Sequence, residues 1–200
     1  MISHEHRCIF IHIQRTAGTS IEYWLTGSDW WNIDASTKHL TAHQAKCLYA
    51  DHWDDYFKFS IVRHPWDRVV SLGKYRNTGV LQDDNGKLEL DGWVASLEFP
   101  EIEFDQRHHS RCDVLRPGVH QPGMLYSNIL DEELDYIGKF ENLPEVIDVI
   151  KGQIKDPPEA KFPRHEVSKN RIRHVWPYDS AASYKQVEKA HFAELSRWGY

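Results

Sequence analysis

Cysteine is scarce in this chain. Three occur in 200 residues, Cys8, Cys47 and Cys112, an odd number without metal-type spacing. That excludes a disulfide framework or a zinc module and reads as reduced thiols in a cytoplasmic protein. No apolar run reaches the length of a membrane span. Met1 to Arg7 are polar, and the apolar run behind them is too short for a secretory signal. Positive charge is not in excess either. The formal net charge is −6, which argues against wholesale nucleic-acid binding and leaves room only for a local basic pocket. Repeats and low-complexity tracts are absent. What is present, 40% hydrophobic and 27% charged residues, fits one globular domain over residues 1–200, large enough to bury a core.

Periodicity divides that domain into alternating strands and helices. The short run from Cys8 to Ile13 is apolar apart from His12 and predicts a buried parallel strand. A polar loop, Gln14 to Gly18, follows, and Thr19 to Thr26 then sets Ile21, Trp24 and Leu25 at helical spacing. Residues Gly27 to Lys38 read as irregular. Thr41 is placed to cap a helix reaching about Tyr49. Tyr56 to Val62 predicts a second strand, and Pro65 with Asp67 suits the first turn of the helix behind it. Leu134 to Phe140 predicts a third strand, Asn142 a cap, Leu143 to Ile154 an amphipathic helix, and Ser180 to Trp198 a closing helix. Residues 77–111, rich in Gly, Asp and Asn at their start, read as a variable insertion. The whole predicts an α/β layer fold with a mostly parallel sheet.

The first strand–loop–helix unit carries the chemistry. In "IHIQRTAGTSIE" a small-residue loop opens a helix, so the backbone N–H groups of Ala17, Gly18, Thr19 and Ser20 face one anion and the helix dipole favours its charge. Gly18 allows close approach, and Thr16, Thr19 and Ser20 bring hydroxyls. Arg15 brings a fixed cation with a fork of donors. An ordinary strand-to-helix turn is the alternative reading. The Gly-Lys-Ser/Thr signature of nucleotide-triphosphate loops is missing, which weighs against a phosphotransferase. At the end of the second strand, "SIVRHPWDRVVS" puts Arg63 where ligands gather in open α/β sheets, with Ser71 two helical turns on. Arg63 reads as a second anion ligand, or as one half of a surface ion pair with Asp67. Arg68 reads as a surface ion pair.

These stretches resemble PAPS-dependent sulfotransferases. "IHIQRTAGTS" is similar to the 5′-phosphosulfate loop I-P-K-T-A-G-T-S, and "FSIVRHPWDRVVS" to the 3′-phosphate element V-R-N-P-x-D-R-x-V-S. "DYIGKFENL" resembles the I-G-R-F-E-N-L segment of the carbohydrate branch, which includes heparan and chondroitin sulfotransferases. "FPRHEVSKN" and the C-terminal "RWGY" continue the match in order. The resemblance implies a single nucleotide-kinase-like domain that moves a sulfuryl group from PAPS to an acceptor, a carbohydrate hydroxyl in the first instance, and releases PAP. It implies that Arg15, Thr16, Ala17, Gly18, Thr19 and Ser20 bind the 5′-phosphosulfate. Arg63 and Ser71 would bind the 3′-phosphate, with Lys169 and Arg171 approaching the same ligand. Such chemistry needs no metal, and cytoplasmic action, where PAPS is made, is expected. The sequence departs from the family at Gln14 and Arg15, which replace Pro-Lys, at His64, which replaces Asn, and at Glu166.

An acceptor proton must also be removed, and histidine suits that task. His39 lies ahead of the Arg63 element, comparable to the basic histidine of the 2-O-sulfotransferase group, and is the expected base, with His43 second. His108, His109 and His120 are further candidates. Arg107, Arg111 and Gln121 are placed to line an acceptor groove, Lys38 to assist the leaving group or hold an anionic acceptor. Trp30, Trp31 and Trp93 offer faces for stacking on a sugar, or simply for packing. "HEH" at residues 4–6 lacks a third placed ligand and reads as a flexible end. Two other functions remain open from sequence: a phosphotransferase, and a PAPS/PAP-binding protein without catalysis.

Overall fold

The computed structural model describes residues 1–73, 125–163, 185–186, 188–189 and 191–200. The insertion read at 77–111, Trp93, Arg107, His108, His109, Arg111, Cys112, His120, Gln121, Glu166, Lys169 and Arg171 lie outside them.

Four strands form one sheet in sequence order: β1 (Ile2–Ser3), β2 (Cys8–Ile11), β3 (Phe57–Val62) and β4 (Tyr136–Lys139). β2, β3 and β4 run parallel, with Cys8 opposite Phe57 and Phe59 opposite Tyr136. β1 pairs antiparallel with β2, Ile2 opposite Ile9. The parallel strands were legible because both faces are covered. Cys8 and Phe10, with Phe59 and Ile61, pack with Ile21 and Leu25 of helix α1 (Gly18–Thr26) and Val146, Ile147 and Ile150 of a later helix. Ile9, Ile11 and Val62 point the other way, against Leu40, Ala42, Ala45 and Trp53. A strand buried on two faces has no polar side, hence the mostly apolar runs, and the buried Lys58 and Ser60 of β3 donate to the carbonyls of Trp53 and Ile11. β1 escaped notice because two residues show no period.

Between β2 and β3 lie α1, α2 (Trp31–Asp34), a 3₁₀ turn (Ala35–Thr37), α3 (Ala42–Leu48) and α4 (Ala50–Trp53). The stretch from Gly27 to Lys38 is therefore not irregular throughout. α2 is held by Trp30, whose indole is buried and donates to Thr37 Oγ1 at 2.8 Å. Thr41 caps α3 as its sequence implies, in a reciprocal box with Gln44. After β3 come α5 (Pro65–Gly73), α6 (Tyr126–Ile129), β4, a 3₁₀ turn (Phe140–Asn142), α7 (Leu143–Gln153) and α8 (Phe192–Trp198). Asn142 stands at the cap position of α7 but makes no side-chain cap bond. The closing helix does not run unbroken to Trp198: His191 is the N-cap of α8. The N-terminus is no flexible end, since His6 is buried with its ring nitrogens on the carbonyls of Leu25 and Lys155. No helix among the described residues is long and apolar enough to cross a membrane.

Candidate functional site

Three parallel strands end on one edge of the sheet, and the residues just beyond those ends meet there. The loop after β2 makes two left-handed turns at residues that are not glycine, Arg15 (φ 68°) and Ala17 (φ 72°). Each costs on the order of 1 kcal/mol, so the surrounding contacts must hold them. Those contacts are visible. Thr16 is fully buried and donates its hydroxyl to the Ile13 carbonyl at 2.8 Å. Arg68 Nε donates to the Gln14 carbonyl and Arg63 Nη1 to the Arg15 carbonyl, both at 3.3 Å. Arg15 Nε in turn donates to Ser71 Oγ at 2.9 Å. Left-handed residues flanking Thr16 turn successive N–H groups to one side, the geometry from which anion nests are made. α1 opens directly from that loop, with Ala17 as its N-cap and no side-chain cap bond. The Thr cap of an ordinary turn is not what begins this helix.

Arg63 is fixed from both sides. Its N–H donates to Tyr126 Oη at 3.2 Å, and the Tyr126 hydroxyl donates to the Arg63 carbonyl at 2.6 Å. The guanidinium lies 4.5 Å from the Phe140 ring centroid. Burial lowers its proton affinity, against the charges of Asp67 and Glu141, which raise it. Among the described residues its Nε is buried without a hydrogen-bond partner. A desolvated cation with an unmet donor at a strand end suits an anion better than it suits a surface ion pair.

Arg68 is the residue sequence reasoning passed over. It is 1% exposed, and its guanidinium sits 5.0 Å from the Tyr126 ring. Far from a surface pair, it is a buried brace under the loop. The signal was available: Arg68 is the second arginine of the V-R-N-P-x-D-R pattern.

Behind the loop runs a buried polar chain. His12 Nδ1 lies 2.5 Å from Glu22 Oε1, Lys38 Nζ lies 2.6 Å from Glu22 Oε2 and also reaches Asp29, and the Trp30 N–H donates to Glu22 at 3.1 Å. Burial holds His12 below the ordinary imidazole range, so it stays neutral and donates from Nδ1. Burial pushes the Glu22 carboxyl up, but His12 and then Lys38 outweigh it and hold it below the usual carboxylate range. Lys38 is thus committed to internal carboxylates, not set out for an acceptor. Sequence hinted at Glu22 only as a carboxylate on the apolar face of α1. His39 packs edge-on to His12 with centroids 4.5 Å apart. Its Nδ1 lies 3.1 Å from the His12 carbonyl, which can only accept, so Nδ1 carries the proton and Nε2 is the basic nitrogen. Trp31 is 44% exposed and edge-on to His39, whereas Trp30 is core. His43, half-buried on α3, is held by Glu132 at 2.6 Å. Among the described residues no group of three or more His, Cys, Asp or Glu side chains is arranged for a metal ion.

Arg15, Arg63 and Ser71 are therefore joined directly, the helix N-terminus of Gly18 to Ser20 adjoins them, and His39 sits behind the same strand end. An α/β sheet whose parallel strand opens through a left-handed loop into a helix is a layout shared by many group-transfer and nucleotide-binding proteins. Within it, the sequence pattern of the Sulfotransferase family matches residues 1–113, more than half of the chain, and the protein belongs to that family. No solved structure matches the chain.

Proposed function

We propose that the protein transfers a sulfuryl group from PAPS to a hydroxyl of a carbohydrate acceptor and releases PAP. One observation carries this reading: Arg15, Arg63 and Ser71 are linked side by side at the strand ends, so one ligand with anionic groups at two ends satisfies both elements. The N–H groups of the loop from Arg15 to Ser20 receive the phosphosulfate end, Arg63 and Ser71 the 3′-phosphate. Such a site is of the P-loop kind without its lysine, Arg15 supplying the cation over the leaving phosphate. The acceptor oxygen bonds to sulfur as the bond from sulfur to the bridging phosphate oxygen breaks. Nε2 of His39 takes the acceptor proton, its tautomer fixed by the His12 carbonyl. Arg15 neutralises charge that grows on the leaving 5′-phosphate, while Arg63 anchors the 3′-phosphate.

Thermal unfolding with PAP, and separately with ATP and Mg²⁺, tests the reading. PAP should raise the midpoint and ATP with Mg²⁺ should not; a shift with ATP and Mg²⁺ alone overturns the proposal in favour of a phosphotransferase. Arg63→Ala should abolish the PAP shift. His39→Ala should abolish transfer of labelled sulfate while keeping it, and loss of the shift there would make His39 a structural residue.

A further inference from the structure

Two cysteines lie among the described residues, and they differ in kind. Cys8 is fully buried in β2, and burial pushes its thiol up to about 12. Cys47 is half-buried near the end of α3 and carries neighbours that Cys8 lacks. Helical spacing sets His43 one turn before it, and His43 Nε2 lies 3.7 Å from Cys47 Sγ. The other ring nitrogen, Nδ1, lies 2.6 Å from Glu132 Oε1. An ionised carboxylate only accepts, so Nδ1–H donates to Glu132 and Nε2 is left to take a proton from sulfur. Hydrogen bonds from His43 and then Lys46 hold the Glu132 carboxyl below its ordinary range.

The arrangement is supported from outside the helix. The His43 N–H donates to Asp131 Oδ1 at 2.8 Å, and Lys46 Nζ donates to Glu132 Oε2 at 2.8 Å. Among the described residues the charged groups of this arrangement are His43 and Lys46 on α3 and Asp131 and Glu132 ahead of β4, with the charge of Asp54 at the end of α4 reaching Lys46. A carboxylate that orients an imidazole, which in turn faces a nucleophile, is the general layout of an activated thiol. Sulfuryl transfer as proposed above uses neither Cys47 nor Glu132.

We propose that Cys47, His43 and Glu132 form a reactive-thiol site at which a hydroperoxide oxidises Cys47 to a sulfenic acid. The thiol proton passes to His43 Nε2. The thiolate attacks the terminal peroxide oxygen, the S–O bond forms and the O–O bond breaks. The departing hydroxide or alkoxide takes the proton back from His43 as water or an alcohol. Sulfur loses two electrons and the peroxide gains them. A low-molecular-weight thiol then condenses with the sulfenic acid to a mixed disulfide with loss of water, which makes the change reversible.

Peptide-resolved mass spectrometry on the intact protein tests this. Hydrogen peroxide with dimedone should label the Cys47 peptide and leave the Cys8 peptide unlabelled; no adduct on Cys47 overturns the proposal. Iodoacetamide then probes the relay. At about pH 6.5 His43→Asn should slow alkylation of Cys47 about tenfold, while at about pH 9.5, where ordinary thiols are ionised, the two proteins should react alike. Equal rates at the lower pH remove His43 from any role in proton transfer, and slowing at both reports lost access instead; either result overturns the relay. Should His43→Asn not fold, the unaltered protein answers alone. At about pH 6.5 native Cys47 should react faster than the same residue in the urea-unfolded chain, and equal or slower reaction is the contrary result.

Discussion

At Gly18 a methyl group would lie 1.9 Å from Cδ2 and Nε2 of His12. That ring cannot step aside, because Glu22 holds its other nitrogen and His39 abuts its face. Gly18→Ala should therefore destabilise the protein by about 1–3 kcal/mol, as overpacking does. The double variant Gly18→Ala/His12→Ala should show a stabilising coupling in urea unfolding, and strict additivity would locate the clash elsewhere. Arg15 is the second residue at which a single atom matters. Its Nε is engaged with Ser71 while its charge remains at the loop. Arg15→Lys keeps the charge but loses the fork, so turnover should persist at a reduced level. Arg15→Ala loses both and should lower turnover about 100-fold or more in a labelled-sulfate assay. The Arg-for-Lys exchange in the loop was readable in the sequence. That Arg15 is tied to Ser71, and that its backbone is left-handed, was not, because both depend on α5 lying beside the loop.

Elements were legible where a period repeats. β2 showed an apolar run and β3 a strongly β-prone one, and Thr41 with Gln44 spelled out the start of α3. Thr41→Ala should cost about 1 kcal/mol by removing the side-chain half of that box, measurable as a lower urea midpoint. α8 shows the opposite case. Its start is fixed by His191 against Glu194 at 2.6 Å, and by Glu194 accepting the Ser127 N–H of α6 at 2.8 Å. The His191–Glu194 contact is local, but the bond that anchors Glu194 to Ser127 comes from a partner remote in sequence. Gly138 in β4 is similar. It lies inside the strand read from Leu134 to Phe140 with no mark of its purpose, yet a side chain there would come within 2.5 Å of Val146 on α7, so it permits close helix–strand packing.

For the whole molecule, the buried charges set the response to acid. Burial keeps His12 and His64 below the ordinary imidazole value of 6.5, so below that pH the unfolded chain binds protons that the folded one refuses. Glu22, held below its ordinary 4.5, adds a second loss as the pH falls through that value. Glu132, held low by His43 and Lys46, loses in the same sense, and Asp131, raised by burial, acts in the opposite one. Urea midpoints should thus fall from about pH 7 downward and more steeply below about pH 4.5. His12→Gln, which keeps a donor for Glu22 but does not titrate, should flatten the upper part of that decline.

By itself the sequence determined the parallel strands, the loop that opens α1, and the pairing of an Arg15 element with an Arg63 element, because each is written in contiguous residues whose spacing and side chains carry the physical demand. Only the tertiary structure decided that Arg68 is a buried brace and not a surface charge. It alone decided that Lys38 is spent on Glu22 and Asp29, that Trp30 is core while Trp31 is exposed, and that His43 faces Cys47 and Glu132. Those outcomes rest on desolvation and on which distant group comes within hydrogen-bond reach. Neither is encoded at any single stretch of the chain.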